Sequence, residues 1–146
     1  MSEYQFFDFQ TVDRPLTEQE QTEIHKLSSR VALTSTQAVF TYQFGDFRGR
    51  PEEVLARYFD AMLYLANWGT RRLMFRFPKS LIDLTQVRPY EVEDVIEFKE
   101  AGDYILLDMN FHEEGVMLWV EGDGRLSSLV RLRDDILQQD YRVLSK

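Results

Sequence analysis

Residues 51 to 78 read PEEVLARYFDAMLYLANWGTRRLMFRFP, and the fold turns on how this stretch divides. Glu53, Arg57, Asp60, Tyr64 and Asn67 recur at steps of three and four, so on a helix they share one narrow polar stripe. Val54, Leu55, Tyr58, Phe59, Met62, Leu63, Leu65 and Ala66 fill the rest of its circumference. Pro51 suits a first helical position, and Glu52 with Glu53 suits the positive end of the helix dipole. Gly69 can close a helix in the left-handed conformation, so the spacing predicts one long helix ending near Asn67 or Trp68. Beyond it, Leu73, Phe75 and Phe77 alternate with Arg72, Met74 and Arg76, the period of a strand with one buried face, up to Pro78. Residues 54–66 are thus expected at the heart of one globule, with 72–77 extended beside them.

Toward the N-terminus, the aromatic alternation of Tyr4 to Val12 predicts a first strand. Thr17 and Glu20 form a capping-box pattern that opens a helix running to about Arg30. Its apolar residues fall only at Ile24, Leu27 and Val31, which places it on the surface. From Thr36 to Phe44, Ala38, Phe40, Tyr42 and Phe44 face one way, as in a half-buried strand, and GDFRGRP at 45–51 is a loop. Toward the C-terminus, PKSLIDL at 78–84 reads as a short helix or turn and VRPY at 87–90 as a connection. Strands are expected at Val92–Lys99, Tyr104–Phe111 and Val116–Glu121, and a last helix over Leu126–Val143. The sum is an α+β domain spanning residues 1–146. Its single, mainly antiparallel sheet is expected to have about five strands, with two long helices and one or two shorter ones packed on one face.

The composition supports a real core: of 146 residues, 44% are hydrophobic and 14% aromatic. With no Cys, disulfides and thiolate metal sites are excluded. No charged-then-apolar leader and no apolar run of about 20 residues is visible, so a cytoplasmic location is expected and no membrane partner. The net charge of −8 is uneven, because residues 45–79 hold 7 basic and 4 acidic groups while residues 80–146 hold 7 and 15. An acidic chain is repelled by phosphate backbones, which disfavours nucleic acid as a partner except at the basic middle.

The motifs DRPLT (13–17), GDFRGRP (45–51), YFDAMLYLANWGTRRL (58–73) and RFPKSLIDL (76–84) resemble the N-terminal portion of a family of uncharacterised bacterial proteins marked by a YFDA…LY…ANWGTR…L segment. The likeness covers most of the chain and is strongest from Gly45 to Leu84. It implies a bacterial source and a domain belonging to a longer protein. It implies no activity.

Chemistry-bearing patterns are sparse. No G-x-S-x-G, no phosphate-cradling glycine loop and no His-Glu-x-x-His occurs. His25 lies beside the thin stripe of a surface helix. His112, Glu113 and Glu114 are consecutive, a spacing that does not converge three ligands on one point, so a metal-dependent hydrolase around His112 is the least favoured reading and no cofactor is expected. The paired acids are expected as solvated surface. The most suggestive group is Arg71, Arg72 and Arg76 beside Trp68, with Arg48, Arg50 and Arg57 upstream. A cationic patch next to an indole fits a contact surface, since Trp, Tyr and Arg are enriched at binding hot spots. The bland alternative is that these arginines pair with acids such as Asp46, Asp60 and Glu53 and hold the sheet together. The leading expectation is a non-enzymatic protein-interaction domain using Trp68, Arg71, Arg72, Arg76 and Trp119. On that reading, exchanging Arg72 and Arg76 for Glu weakens partner capture without unfolding the domain. A nucleic-acid accessory domain using residues 48–76 is the alternative.

Overall fold

The stretch from Pro51 to Pro78 divides into three elements rather than two. In the computed structural model, which describes residues 5–27, 31–42, 50–66, 70–111 and 125–145, Pro51–Tyr58 is a helix, Ala61–Ala66 a strand and Arg71–Pro78 a second strand. The helix stops because Phe59 turns extended and buries its ring completely. Asp60 then donates its N–H to the Gln10 carbonyl at 2.9 Å. What reads as the second half of a greasy helix is a central strand buried on both faces: Ala61, Met62 and Leu63 are all fully buried. Such a strand has no alternation to betray it, so its apolar run looks the same as a buried helix. The single long helix is therefore corrected to a helix followed by a strand, while residues 72–77 are extended as expected.

In chain order the elements are β1 (Gln5–Gln10), α1 (Glu18–His25), β2 (Val31–Leu33), β3 (Gln37–Tyr42), α2 (Pro51–Tyr58), β4 (Ala61–Ala66), β5 (Arg71–Pro78), α3 (Leu84–Val87), β6 (Ile96–Ala101), β7 (Tyr104–Phe111), α4 (Arg125–Leu137) and α5 (Arg142–Ser145). Among the described residues the strands form one antiparallel sheet of seven, in the order β2-β3-β1-β4-β5-β7-β6. The α+β class stands and the count of about five strands does not. β4 was hidden inside the predicted helix, and the three-residue β2 is too short to show a period. The long last helix also breaks in two, between α4 and α5, at Gln139, whose φ of 69° is left-handed. The predicted Val116–Glu121 strand falls outside the described residues.

Helices cover both faces of the sheet, not one. Register places Phe7, Phe9, Phe40, Met62, Met74 and Leu106 on the face that packs against Ile24 of α1 and Val54 and Leu55 of α2. Ala61, Leu63, Leu73, Phe75, Phe77 and Leu107 point the other way, onto Val87 of α3, Leu126 and Ile136 of α4 and Leu144 of α5. A sheet sandwiched this way explains the continuous apolar runs of β4 and β5.

The capping box at the start of α1 forms as expected. Glu20 N–H donates to Thr17 Oγ1 at 3.1 Å and Thr17 N–H to Glu20 Oε1 at 2.9 Å, and Arg14 grips the same carboxylate with two bonds of 3.0 Å. The Arg14 hydrogen bond is the main reason the Glu20 carboxyl is held down to about 2. A depressed carboxyl stabilises the fold above its ordinary value and loses that contribution as pH falls through the folded value, so this cap survives until strong acid. Thr17→Ala is expected to cost about 1 kcal/mol, read as a lower urea midpoint at unchanged slope.

Candidate functional site

β5 carries the arginines singled out above, and its pleat sends them to different faces. Arg72 and Arg76 lie with Met74 on the α1/α2 side, whereas Arg71, half-buried, belongs to the face of Leu73 and Phe75. The two that share a face are each committed to carboxylates within the fold. Trp68 and Trp119 lie outside the described residues, as do His112 and its acidic neighbours.

Arg76 is 8% exposed and centres on Asp60. Its Nε and Nη2 donate to Asp60 Oδ1 at 3.3 and 2.9 Å, and Nη1 donates to the Ala56 carbonyl of α2 at 2.9 Å. The guanidinium also sits 4.2 Å over the Tyr104 ring. Asp60 Oδ2 accepts the amides of Val12 and Asp13 at 2.7 and 3.0 Å. From the opposite layer, Arg133 of α4, itself 2% exposed, donates Nε to the Arg76 carbonyl at 2.7 Å. It grips Asp13 with two bonds of 3.2 and 3.1 Å and approaches Asp60 Oδ1 to 3.7 Å. Asp60 thus stands at the end of the sheet, where both helical layers are tied to it. Burial pushes the Asp60 carboxyl up, but the two amides and Arg76 outweigh that and hold it below its ordinary 3.8.

Arg72 builds the second cluster. It donates Nε to Asp108 Oδ1 at 2.9 Å and Nη2 to Asp108 Oδ2 at 2.8 Å, the planar two-pronged match that guanidinium and carboxylate allow. Arg72 Nη2 also reaches Glu52 Oε2 at 2.8 Å. Lys99 Nζ joins both acids, at 2.8 Å from Glu52 and 3.1 Å from Asp108, and Asn110 Nδ2 donates to Asp108 Oδ1 at 3.1 Å. Burial raises the Asp108 carboxyl, and Arg72 and Lys99 more than reverse it. The Asp108 hydrogen bonds raise Arg72.

Asp60 and Asp108 each accept four donors, about the limit of a carboxylate's lone pairs. A general base needs a free lone pair toward a cleft and a pKa near the working pH; Asp60 and Asp108 have the reverse of both. The carboxylates that sequence reasoning named as arginine partners were partly the right ones. Asp60 does pair with Arg76, and Glu53 with Arg50 at 3.6 Å on the surface, while Asp46 lies outside the described residues; Arg72 pairs with Glu52 and Asp108, which were not named. Asp13, Lys99 and Arg133 were missed. The available signal was an acid inside YILLDMNF: a charge in a strand buried on both faces must meet an opposite charge.

His25 is exposed at the end of α1. Among the described residues no group of three His, Cys, Asp or Glu is placed to hold a metal ion, and no helix is long and apolar enough to cross a membrane. An open groove of about 350 Å³ lies beside the outer edge of β6, lined by Glu91, Glu93, Ile96, Glu97, Phe98 and Lys99. Val92, 50% exposed, stands between its first two acids.

Fold and site together define an acidic α+β domain, a seven-stranded antiparallel sheet between two helical layers, cross-braced by buried ion pairs. Comparison with protein-family models, curated proteins and solved structures finds no match.

Proposed function

We propose that this chain is a non-enzymatic protein-interaction domain that meets a basic protein partner through the acidic groove beside β6. The observation that carries this reading is the distribution of uncommitted charge. Arg72 and Arg76 are consumed inside the fold, Lys99 is shared between Glu52 and Asp108 with part of its side chain exposed, and Arg50 and Arg57 face Glu53 and Glu23. Glu93, Asp94 and Asp103 are exposed along and around β6, with Val92 among them as an apolar contact, while the equally exposed Glu100 pairs with Lys79 at 3.1 Å. Complementary charge of this kind chiefly steers encounter and selects partners. That the Arg72 and Arg76 guanidiniums turn to internal acids supports this surface over the arginine side.

Crosslinking capture from the native cell, followed by direct binding of the purified partner, tests it. Glu93→Lys with Glu97→Lys is expected to weaken binding at least roughly tenfold with an unchanged melting midpoint. An Arg71→Glu arm probes the arginine strand away from β6. Loss there, with the acidic variant unaffected, moves the contact to Arg71 and defeats the acidic assignment. Binding of single-stranded or duplex oligonucleotide at low salt, falling steeply as salt rises, would replace the protein reading with the nucleic-acid one.

A further inference from the structure

Among the described residues β6 is one of the sheet's two edge strands, β2 being the other. Asn110 N–H bonds Val95 O at 2.8 Å, which fixes the odd-numbered residues as those paired with β7, so Ile96, Phe98 and Glu100 turn their backbone groups outward. An edge of this kind is a template for another strand. Here most of the row is filled from within the same chain. Ile96 exchanges two bonds with Val92, at 2.9 and 2.8 Å. The Phe98 N–H donates to Glu91 Oε2 at 2.8 Å, and the Phe98 carbonyl accepts from Arg88 Nη1 at 3.3 Å. Arg88 and Glu91 bond each other at 3.0 Å. Two side chains therefore stand where the backbone of a further strand would bond.

We propose that Glu91 and Arg88 form a clamp that keeps the β6 edge closed, and that once it is released the edge pairs antiparallel with β6 of a second copy of this chain. The strand is self-complementary for that pairing. Set about Phe98, an antiparallel pair places Glu97 opposite Lys99 of the second copy, and the same contact recurs by symmetry on one face of the joined sheet. Lys99 shares its ammonium with Glu52 and Asp108 and keeps 39% of its side chain exposed, enough to reach across. In that register Ile96 falls opposite Glu100 of the second copy, so the Val92–Ile96 bridge has to open together with the clamp. The inference does not rest on the identity of the groove's partner, and it survives or fails separately from that reading.

The test is sedimentation equilibrium on wild type, E100P, R88A/E91A and R88A/E91A/E100P, with circular dichroism to verify folding. Proline at position 100 deletes an outward-facing N–H and no ladder bond to β7, a substitution edge strands accept. The wild type is expected to remain monomeric where R88A/E91A self-associates, with dimerisation at least roughly tenfold tighter in the variant. Adding E100P is expected to restore the monomer. A folded R88A/E91A that stays monomeric overturns the proposal, as does association that E100P leaves untouched. A wild-type dimer that E100P disrupts overturns the clamp, since the edge would then be open already. If R88A/E91A does not fold, Glu91→Ala alone is read by the same two criteria, with E100P as its reversal.

Discussion

Asp60→Ala is expected to lower the unfolding free energy by roughly 3–5 kcal/mol, the usual cost of removing one partner from a buried ion pair. The substitution strips the Val12 and Asp13 amides of their acceptor and leaves Arg76 and Arg133, both buried, with only the carboxylate of Asp13 between them. Against a total stability of about 5–15 kcal/mol for a domain of ordinary size, that is a large share. Urea unfolding reads it directly, and Asp60→Asn separates charge from shape, since it keeps an acceptor oxygen and loses the negative charge. Loss of less than about 1 kcal/mol in the alanine variant would mean the network is ornamental. The pH dependence follows from the same carboxyl. Its folded value is depressed, so its contribution is complete above the ordinary aspartate value of 3.8 and disappears as pH falls through the lower folded one. Wild type is expected to lose stability in that acid window, and Asp60→Ala to lack this part of the loss. The same geometry overturns the expectation that Arg72 and Arg76 can be exchanged for Glu without unfolding. Glutamate at 76 would bury a second negative charge against Asp60.

The sequence spoke where one residue type had one physical meaning. Thr17 and Glu20 capped a helix because no other arrangement uses that pair so well, and the alternation of Ala38 and Phe40 with their neighbours marked β3. It misled where burial erased the pattern. AMLYLA in β4 is covered on both faces, so neither a period of two nor of 3.6 is imposed on it. The polar positions Asp60 and Tyr64, which completed a helical stripe by coincidence, are a sheet-end anchor and a strand residue bonded to Gln5. The arginine strand was legible as a strand, and Arg72 and Arg76 were rightly put on one face. Which acids they meet was not, because Asp108 and Glu52 lie 36 and 20 residues from Arg72 in the chain, and only the β5–β7 register and the docking of α2 bring them together. The edge clamp was illegible for the same reason. Glu91 and Arg88 look like surface charges in a connection until the turn before β6 lays them along its backbone.

Asp108→Ala is expected to cost roughly 2–3 kcal/mol, less than Asp60→Ala, because Arg72 retains Glu52 and 21% of its side chain reaches solvent. The informative experiment is the cycle that removes both partners. Arg72→Met with Asp108→Leu replaces the pair by apolar side chains next to Met74 and Leu106, which are already buried on that face. Such replacements are often neutral or stabilising, because two desolvated charges recover little more than they lose. The double variant is therefore expected within about 1 kcal/mol of wild type, with a strong coupling between the two sites. Lys99 then keeps Glu52 as its counterion, so no charge is stranded. If the double variant instead falls by the sum of the single losses, the pair contributes net stability that packing cannot replace. Arg72 would then be fixed by energy. If it holds, the retention of Arg72 is a matter of specificity: a cation bonded to Glu52 of α2 and Asp108 of β7 selects this packing of helix and strand over others the same apolar faces would tolerate.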